Sequence, residues 1–349
     1  MKHWSYRQKT GQLKTRSKKK IRVFLTVDTE HSIGGAFSNP KLKPVNKNKR
    51  IYGKIGKKNF GIPLMMDLAD RYGLKMVFFL EVLNKYYFGE DESKQVCQYI
   101  LKRNHDVQLH IHPNYLNFTR ENPGNLVYSD FISDYPQDRQ EALLSEARDL
   151  LIKYGAPNPS AFRAGCFGAG LSTLRALKKS GFLIDSSYNR SYCGITCSIP
   201  KSAINDLVNI EGIWEFPVTN FIEHSYLRST RYMPLDINGV SFSEIKNVLE
   251  QSRKNGPSNI TIILHSFSFI RAYDVQYNRV KPRNTVIKRF ESLCRYLAEN
   301  RDHFEVGTFG SMTGEALSGL PAESLHHIHR MPPIHSLFRG CEQVKDAFF

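Results

Sequence analysis

Residues 21–30 read IRVFLTVDTE, and this stretch decides how the chain folds. Most of its first seven residues are apolar and several are β-branched, which is typical of a strand buried inside a sheet. Successive side chains of a strand point to opposite faces. One face is therefore aliphatic, with Val23, Leu25 and Val27, whereas the other ends in Asp28 and Glu30. The stretch predicts a buried strand that carries two carboxyl groups at its C-terminal end.

Similar apolar stretches recur along the chain and alternate with amphipathic segments that have a helical period. The further predicted strands are 74–82, 105–113, 160–165, 182–187, 213–221, 259–266 and 303–310. The predicted helices are 61–73, 90–104, 136–155, 171–181, 241–255 and 284–300. Alternation repeated this often favours an α/β fold with a parallel sheet, either open or closed into a barrel.

The composition is that of a soluble globular protein, with 41% hydrophobic and 23% charged residues among 349. No stretch approaches the roughly 20 apolar residues of a membrane-spanning helix. No apolar region follows the basic N-terminus, as it would in a secretory signal. Six cysteines in a chain of this length do not form a disulfide framework. We therefore expect a cytoplasmic protein with reduced thiols and no transmembrane segment.

The net charge of +16 is concentrated in two segments, residues 1–22 and 41–58. Together they hold 17 of the 49 basic residues and no acidic residue, and the remainder is nearly neutral. No nucleic-acid-binding motif accompanies the charge, so we expect no nucleic-acid partner. The charge favours attraction to a phosphate-bearing substrate or peripheral contact with an anionic membrane. A solvated tail and loop remain the alternative.

These features predict three parts of the chain. Residues 1–20 form a basic N-terminal tail, and residues 21–312 form a single folded domain. Residues 313–349 have no clear hydrophobic period, and we expect this C-terminal tail to be weakly ordered.

Ionisable side chains gather at the ends of three predicted strands. His110 and His112 share one face of strand 105–113, and His265 ends strand 259–266. Parallel α/β folds place their sites beyond the C-terminal ends of the strands. A histidine on a strand more often has a structural role. Here, however, the carboxylates Asp28 and Glu30 lie at the end of a third predicted strand, and their coincidence with the histidines favours a role as metal ligands. One carboxylate and two imidazoles suit a catalytic zinc site and also other divalent metals.

The order of five motifs resembles that of the polysaccharide deacetylase (NodB-homology) superfamily of metal-dependent carbohydrate esterases. The motifs, which lie within residues 20–310, are TVDTE (26–30), HDVQLHIHP (105–113), FRAGCFG (162–168), GFLIDSS (181–187) and IILHSFS (262–268). The resemblance implies a single domain with a distorted (β/α) barrel of about seven parallel strands. It also implies a divalent metal, with Zn²⁺ expected, and a carbohydrate substrate.

The resemblance implies a role for each motif residue. Asp28 looks like the catalytic base, and Glu30, His110 and His112 look like the metal ligands. Arg163 resembles the residue that orients the base, His265 the general acid, and Asp185 the aspartate that supports this acid.

Three departures from the family pattern suggest a divergent branch, linked to surface-polysaccharide loci, with an altered substrate. Thr29 separates Asp28 from Glu30, so their base and ligand roles could be exchanged. The two histidines are spaced two apart, where the commoner spacing is four. The segment after Arg163 lacks the usual Pro-Tyr pair.

The function expected from these observations is removal of an N-acyl group, acetyl in the simplest case, from an amino sugar. The sugar would belong to a glycan or to a lipid- or nucleotide-linked precursor. Two alternatives stay open: another C–N hydrolase on the same scaffold, such as a deformylase or ureide amidohydrolase, and a catalytically inactive protein that binds anionic glycans. The basic segment 41–58 follows the acidic motif, and we expect it at the mouth of the site.

Overall fold

The computed structural model of the chain describes residues 20–200, 203–223, 230–324 and 326–348. The basic tail expected at 1–20 lies outside these residues, except for Lys20. The strands are β1 (Ile21–Thr29), β2 (Lys54–Ile55), β3 (Lys58–Asn59), β4 (Val77–Glu81), β5 (Asp106–Ile111), β6 (Ala161–Ala164), β7 (Ile184–Asp185), β8 (Val208–Ile210), β9 (Ile213–Glu215), β10 (Asn220–Glu223), β11 (Arg231–Pro234), β12 (Asn259–His265), β13 (Ile270–Ala272), β14 (Val280–Pro282) and β15 (Phe304–Val306). The helices are α1 (Lys47–Arg50), α2 (Ile62–Arg71), α3 (Lys85–Phe88), α4 (Glu90–Leu101), α5 (Gln137–Lys153), α6 (Leu171–Lys179), α7 (Phe242–Asn255), α8 (Asn284–Glu299), α9 (Gly314–Ser318) and α10 (Pro333–Phe348).

The main sheet is curled, and β1 lies in it between β12 and β4. Its strand order is β12-β1-β4-β5-β6-β7-β9-β8, and β15 also pairs with β1. Within the described residues, eight of these nine strands run parallel, and β8 runs antiparallel to β9. The predicted single-domain α/β fold with a distorted barrel is confirmed, with one more parallel strand than the expected seven.

The segment between β9 and α7 covers the free edge of β12. Thr219 N donates to Thr261 O at 3.1 Å, and Ile237 N donates to Ile263 O at 3.0 Å. Ile263 N in turn donates to Leu235 O at 3.0 Å. These hydrogen bonds satisfy the outer edge of β12 and curl the sheet into a barrel.

The two faces of β1 contact different parts of the molecule. Val23, Leu25 and Val27 are fully buried in the large aliphatic core that the covering helices share. Phe24 belongs to a separate interior cluster with Phe79 and Phe309, and its ring stacks on Phe309 with centroids 4.5 Å apart. The interior face of β1 therefore changes from aromatic at Phe24 to ionisable at Asp28, which places the polar groups at one end of the barrel.

The C-terminal segment contains two helices, α9 and α10, although its sequence led us to expect weak order from residue 313 onward. Helix α10 packs against α7 and α8. Charged residues hold it in place, and the hydrophobic period of a sequence does not reveal contacts of this kind.

None of the helices in the described ranges is both long enough and apolar enough to span a membrane.

Candidate active site

A cavity of about 360 Å³ lies at the C-terminal ends of β1, β5 and β12. It is lined by Asp28, Glu30, His110, His112, Phe131, Ala164, Cys166, Phe167, Asn189, Tyr192, Thr196, Pro234, Asp236, Ile263 and His265. Five of the seven residues singled out from the sequence thus line one cavity. Arg163 and Asp185 are fully buried behind it.

Strand register explains why these side chains meet. Asp28 of β1 lies opposite His265 of β12, and His110 of β5 lies opposite Arg163 of β6. Glu30 and His112 each follow the last residues of their strands. Because the strands are parallel, their C-terminal ends deliver all of these residues to the same end of the barrel.

Glu30, His110 and His112 form a group that fits a divalent metal ion. Glu30 Oε2 lies 2.8 Å from His112 Nε2 and 3.4 Å from His110 Nε2. Ligand atoms about 2.0–2.2 Å from a tetrahedral ion lie about 3.3–3.6 Å from one another. The two nitrogens and the carboxylate oxygen all lie within 4.8 Å of one another, so small shifts would bring them to coordination distances.

Hydrogen bonds to the other ring nitrogens set the tautomers of both histidines. His110 Nδ1 lies 2.8 Å from Arg163 O, and His112 Nδ1 lies 2.9 Å from Asp130 Oδ1. A carbonyl and a carboxylate can only accept, so both Nδ1 atoms carry the hydrogen. Both Nε2 atoms therefore face Glu30, which is the arrangement of metal-ligating histidines held by outer hydrogen-bond partners.

Charge at the group favours a cation. Burial acts to raise the pKa of Glu30, but the neighbouring His112 and Arg50 hold that pKa well below its usual range. Burial likewise acts to lower the pKa of His112, but the carboxylates of Asp130 and Glu30 raise it well above its usual value. His112 Nε2 therefore attracts positive charge, whether from a proton or from a metal ion.

The basic segment 41–58 contributes Arg50 to this site. Arg50 Nη2 donates to Glu30 Oε1 at 3.0 Å, and its guanidinium lies 3.2 Å from the centre of the Phe267 ring. Lys47 and Lys49 have other partners, Glu92 and Asn278 respectively. Arg50 thus takes one oxygen of the Glu30 carboxylate and leaves the other to the two imidazoles.

Arg163 fixes the orientation of Asp28. Its Nη1 donates to Asp28 Oδ1 at 2.7 Å and to Thr26 Oγ1 at 2.9 Å. Its Nε and Nη2 donate to the carbonyl and hydroxyl oxygens of Ser186 at 3.0 Å and 2.9 Å. The other oxygen of Asp28 lies 4.0 Å from His265 Nε2, a separation too long for a direct hydrogen bond.

Asp185 is not brought to His265, contrary to the role that the resemblance implied. Its Oδ1 accepts from Ser187 Oγ at 2.6 Å, and in the pairing of β7 with β9 it lies opposite Glu215. Burial raises the pKa of Asp185, and burial together with the Asp185 charge raises that of Glu215 well above its usual value. Within the described residues no hydrogen bond joins Asp185 to His265, because the Asp185 carboxyl points to the neighbouring strand.

The segment after Arg163 forms one wall of the site. A Cβ atom on Gly165 would lie 2.7 Å from two ring atoms of His112 and 2.7 Å from Ile111 O. Glycine is therefore required while the imidazole stands there. Cys166 has a positive φ of 53°, and its Sγ lies 3.5 Å from Asp130 Oδ2.

Sequence reasoning did not identify Asp130 or Arg50 as members of the site. Asp130 follows an irregular excursion that contains a 3₁₀ turn at Pro113–Thr119, so strand alternation does not reach it. Arg50 stands among eight basic residues of its segment, and the sequence does not single it out.

Comparison with known proteins gives matches by structure alone, since no protein-family model and no curated protein matches the sequence. A Mycobacterium smegmatis protein assigned as a polysaccharide deacetylase matches with a TM-score of 0.52 and 14% identity, over 88% of this chain and 94% of its own. The 4-alpha-glucanotransferase of Thermococcus litoralis matches with a TM-score of 0.51 and 12% identity, over 95% of this chain and 47% of its own. A family 4 carbohydrate esterase from Streptomyces lividans matches with a TM-score of 0.41 and 10% identity, over 84% of this chain and 95% of its own.

At these identities the comparisons concern the fold, and the glucanotransferase illustrates that similar folds host different reactions. The Mycobacterium smegmatis protein is matched over nearly its whole length. The chain therefore has the fold of the polysaccharide deacetylases and is a divergent example of it, as the order of its motifs indicated.

Proposed function

We propose that the protein is a metal-dependent hydrolase that removes an N-acyl group, acetyl in the simplest case, from an amino sugar. The observation that carries this proposal is the convergence of Glu30 Oε2 with the Nε2 atoms of His110 and His112. They line the same cavity as Asp28 and His265. A ligand set of this composition suits Zn²⁺ and leaves coordination positions open.

The cation would polarise the amide carbonyl and lower the pKa of a water to about 7. Asp28 would accept the proton of the attacking water through the oxygen that Arg163 leaves free. His265, whose Nε2 lies 4.0 Å from that oxygen, would donate a proton to the departing sugar amine. Positioned acids and bases of this kind contribute ~10²–10⁴-fold to the rate.

The rest of the cavity suits a carbohydrate. Phe131, Phe167 and Tyr192 supply apolar walls beside the ionisable group. Such a combination of apolar surface and a few polar groups is typical of small-molecule sites. Arg50, which is paired with Glu30, is the contribution of the basic segment 41–58 to this site, and the charge of that segment is the ground for proposing a phosphate-bearing sugar, linked to a lipid or a nucleotide, as the substrate.

The first experiment measures metal content and acyl release together. We expect purified protein to contain a divalent metal and to release acetate from N-acetylated amino sugars. His110→Ala and His112→Ala should each lose both metal and activity. Asp28→Asn should keep the metal and lose activity by roughly 10²-fold or more. His327→Ala, which removes an exposed histidine, is the matched control and should keep both.

Unaltered metal content in His112→Ala would remove the basis of the proposal. Release of formate from formamido sugars, in place of acetate, would instead indicate a deformylase on the same site.

A catalytically inactive glycan-binding protein is the second candidate, and the Arg50–Glu30 ion pair favours it. Arg50 binds the carboxylate that would hold the metal, so a fixed cation already stands at the site. This candidate predicts metal-free protein whose affinity for anionic glycans is unchanged in His110→Ala and His112→Ala. It also predicts that Arg50→Gln weakens that affinity.

A further inference from the structure

Helix α10 faces the body of the protein with its charged side. Four residues on one side of the helix make the contacts: His335, Arg339, Glu342 and Asp346. Asp346 accepts from Arg271 at 2.6 Å and from Arg283 at 2.8 Å, and Glu342 accepts from Arg289. Ser243 Oγ of α7 lies 2.6 Å from His335 Nδ1. The helix is thus attached by ion pairs and hydrogen bonds.

The apolar side of α10 faces outward. Ile334, Leu337, Phe338 and Val344 keep between 51% and 64% of their surface exposed. Cys341, also exposed, lies between them in the same helical register. Residues three and four apart share one face of a helix, so these five form a single stripe, here called the α10 stripe.

This orientation is the reverse of that of a surface helix in a soluble domain, which buries its apolar side. Single exposed apolar residues are common, but a continuous apolar stripe marks a contact surface. Because the ion pairs with α8 and the β13–β14 region hold the charged side inward, the α10 stripe remains available to another surface.

The size of the α10 stripe argues against a second copy of the chain as its occupant. Sixteen residues make a helix about 24 Å long, and a stripe about 10 Å wide on it offers roughly 240 Å². A stable protein interface buries about 800 Å² on each partner. Two copies that each carry a net charge of +16 would also repel each other.

We infer that the α10 stripe inserts into the interface of an anionic lipid membrane. An interfacial helix needs an apolar side for the acyl boundary and basic residues near the headgroups. The protein supplies the charge, since Lys246 of α7, Lys288 of α8 and Arg330 before α10 are exposed. The net charge of +16 adds attraction to anionic headgroups.

A chain of hydrogen bonds connects this helix to the cavity end of β12. Arg283, which binds Asp346, donates to Asn238 Oδ1 at 2.8 Å. Asn238 Nδ2 donates to Ser268 Oγ at 2.9 Å, and Ser268 Oγ accepts from His265 N at 2.9 Å. The inferred membrane contact therefore lies on the part of the barrel that carries the cavity. The inference does not depend on which reaction the cavity performs.

The test is sedimentation of the full-length protein with vesicles of phosphatidylcholine, with and without phosphatidylglycerol. We expect binding to the anionic vesicles that partly survives high salt, because apolar insertion is not screened. The double variant Leu337→Ser/Phe338→Ser should bind these vesicles about tenfold more weakly or worse. The control Leu126→Ser/Ile152→Ser removes two exposed apolar side chains elsewhere and should bind as the parent does.

Both double variants change exposed residues, and equal thermal unfolding midpoints would establish that they fold. Equal vesicle binding by Leu337→Ser/Phe338→Ser and the parent would overturn the inference, as would a complete loss of parent binding at high salt, since the basic segments alone would then explain the attraction. A concentration-dependent dimer that Leu337→Ser/Phe338→Ser abolishes would also overturn it, in favour of a second copy of the chain.

Discussion

At the scale of single residues, Asp130 is the side chain outside the motifs on which the site depends most directly. Its carboxylate accepts the Nδ1 hydrogen of His112 at 2.9 Å and so keeps Nε2 free to bind a metal. We expect Asp130→Asn to weaken metal binding by about 10–100-fold, because an amide no longer enforces that tautomer. Competition with a chelator measures this affinity.

Asp134→Asn is the control for that measurement, since Asp134 is an exposed aspartate of the same loop. Equal metal affinity in Asp130→Asn and the parent would mean that the His112 ring is held by its packing alone.

Strand alternation was sufficient to place Asp28, His110 and His265 at one cavity, since it depends only on which face each residue occupies. It could not show which of these side chains hydrogen-bond to one another. The Asp185 carboxyl was expected to support His265, but it accepts a hydrogen bond from Ser187, two residues further along the chain, and lies opposite Glu215. Which neighbour a buried carboxyl selects depends on rotamers and strand order, and one sequence reveals neither.

At the scale of the elements, His105 at the start of β5 makes stability depend on pH. Its Nδ1 accepts from Met76 N at 3.1 Å, and burial lowers its pKa to about 4. Between pH 6.5 and 4 the unfolded chain binds a proton that the folded protein does not, so the free energy of unfolding falls as the pH falls. His105→Gln should remove up to about 1.4 kcal/mol per pH unit of this slope.

Urea unfolding at several pH values measures the slope, and His303→Gln, at an exposed histidine, should leave it unchanged. An identical slope in His105→Gln and the parent would show that His105 is protonated without cost in the folded state.

The strands and helices of the barrel could be predicted because their apolar faces meet the core. Helix α10 could not be predicted in the same way. Its inward contacts, such as Arg289 with Glu342, are charged, and its apolar residues face outward. Hydrophobic periodicity predicts a helix that packs with its apolar face, and it therefore gives no indication of a helix that packs with its polar side.

At the scale of the whole molecule, Arg289 joins the C-terminal helix to the closure of the barrel. Its guanidinium is nearly buried; Nε donates to Glu342 Oε2 at 2.9 Å, and Nη1 donates to the carbonyl of Ile237. Ile237 in turn pairs with Ile263 on the edge of β12. We expect Glu342→Ala to lower the free energy of unfolding by about 1–3 kcal/mol, because the Nε and Nη2 donors of a buried guanidinium lose their carboxylate acceptor.

Denaturant titration measures that loss, with Glu299→Ala at an exposed position of α8 as the control. A Glu342→Ala variant as stable as the parent would mean that the Arg289–Glu342 ion pair contributes nothing to the stability of the barrel.

The contact between Gly165 and His112 also makes the two positions interdependent. A Cβ at position 165 would lie 2.7 Å from two atoms of the imidazole ring and from Ile111 O. Any larger residue at 165 would therefore force the ring away from its present place beside Glu30. A redesign of the wall at position 165 has to change position 112 as well.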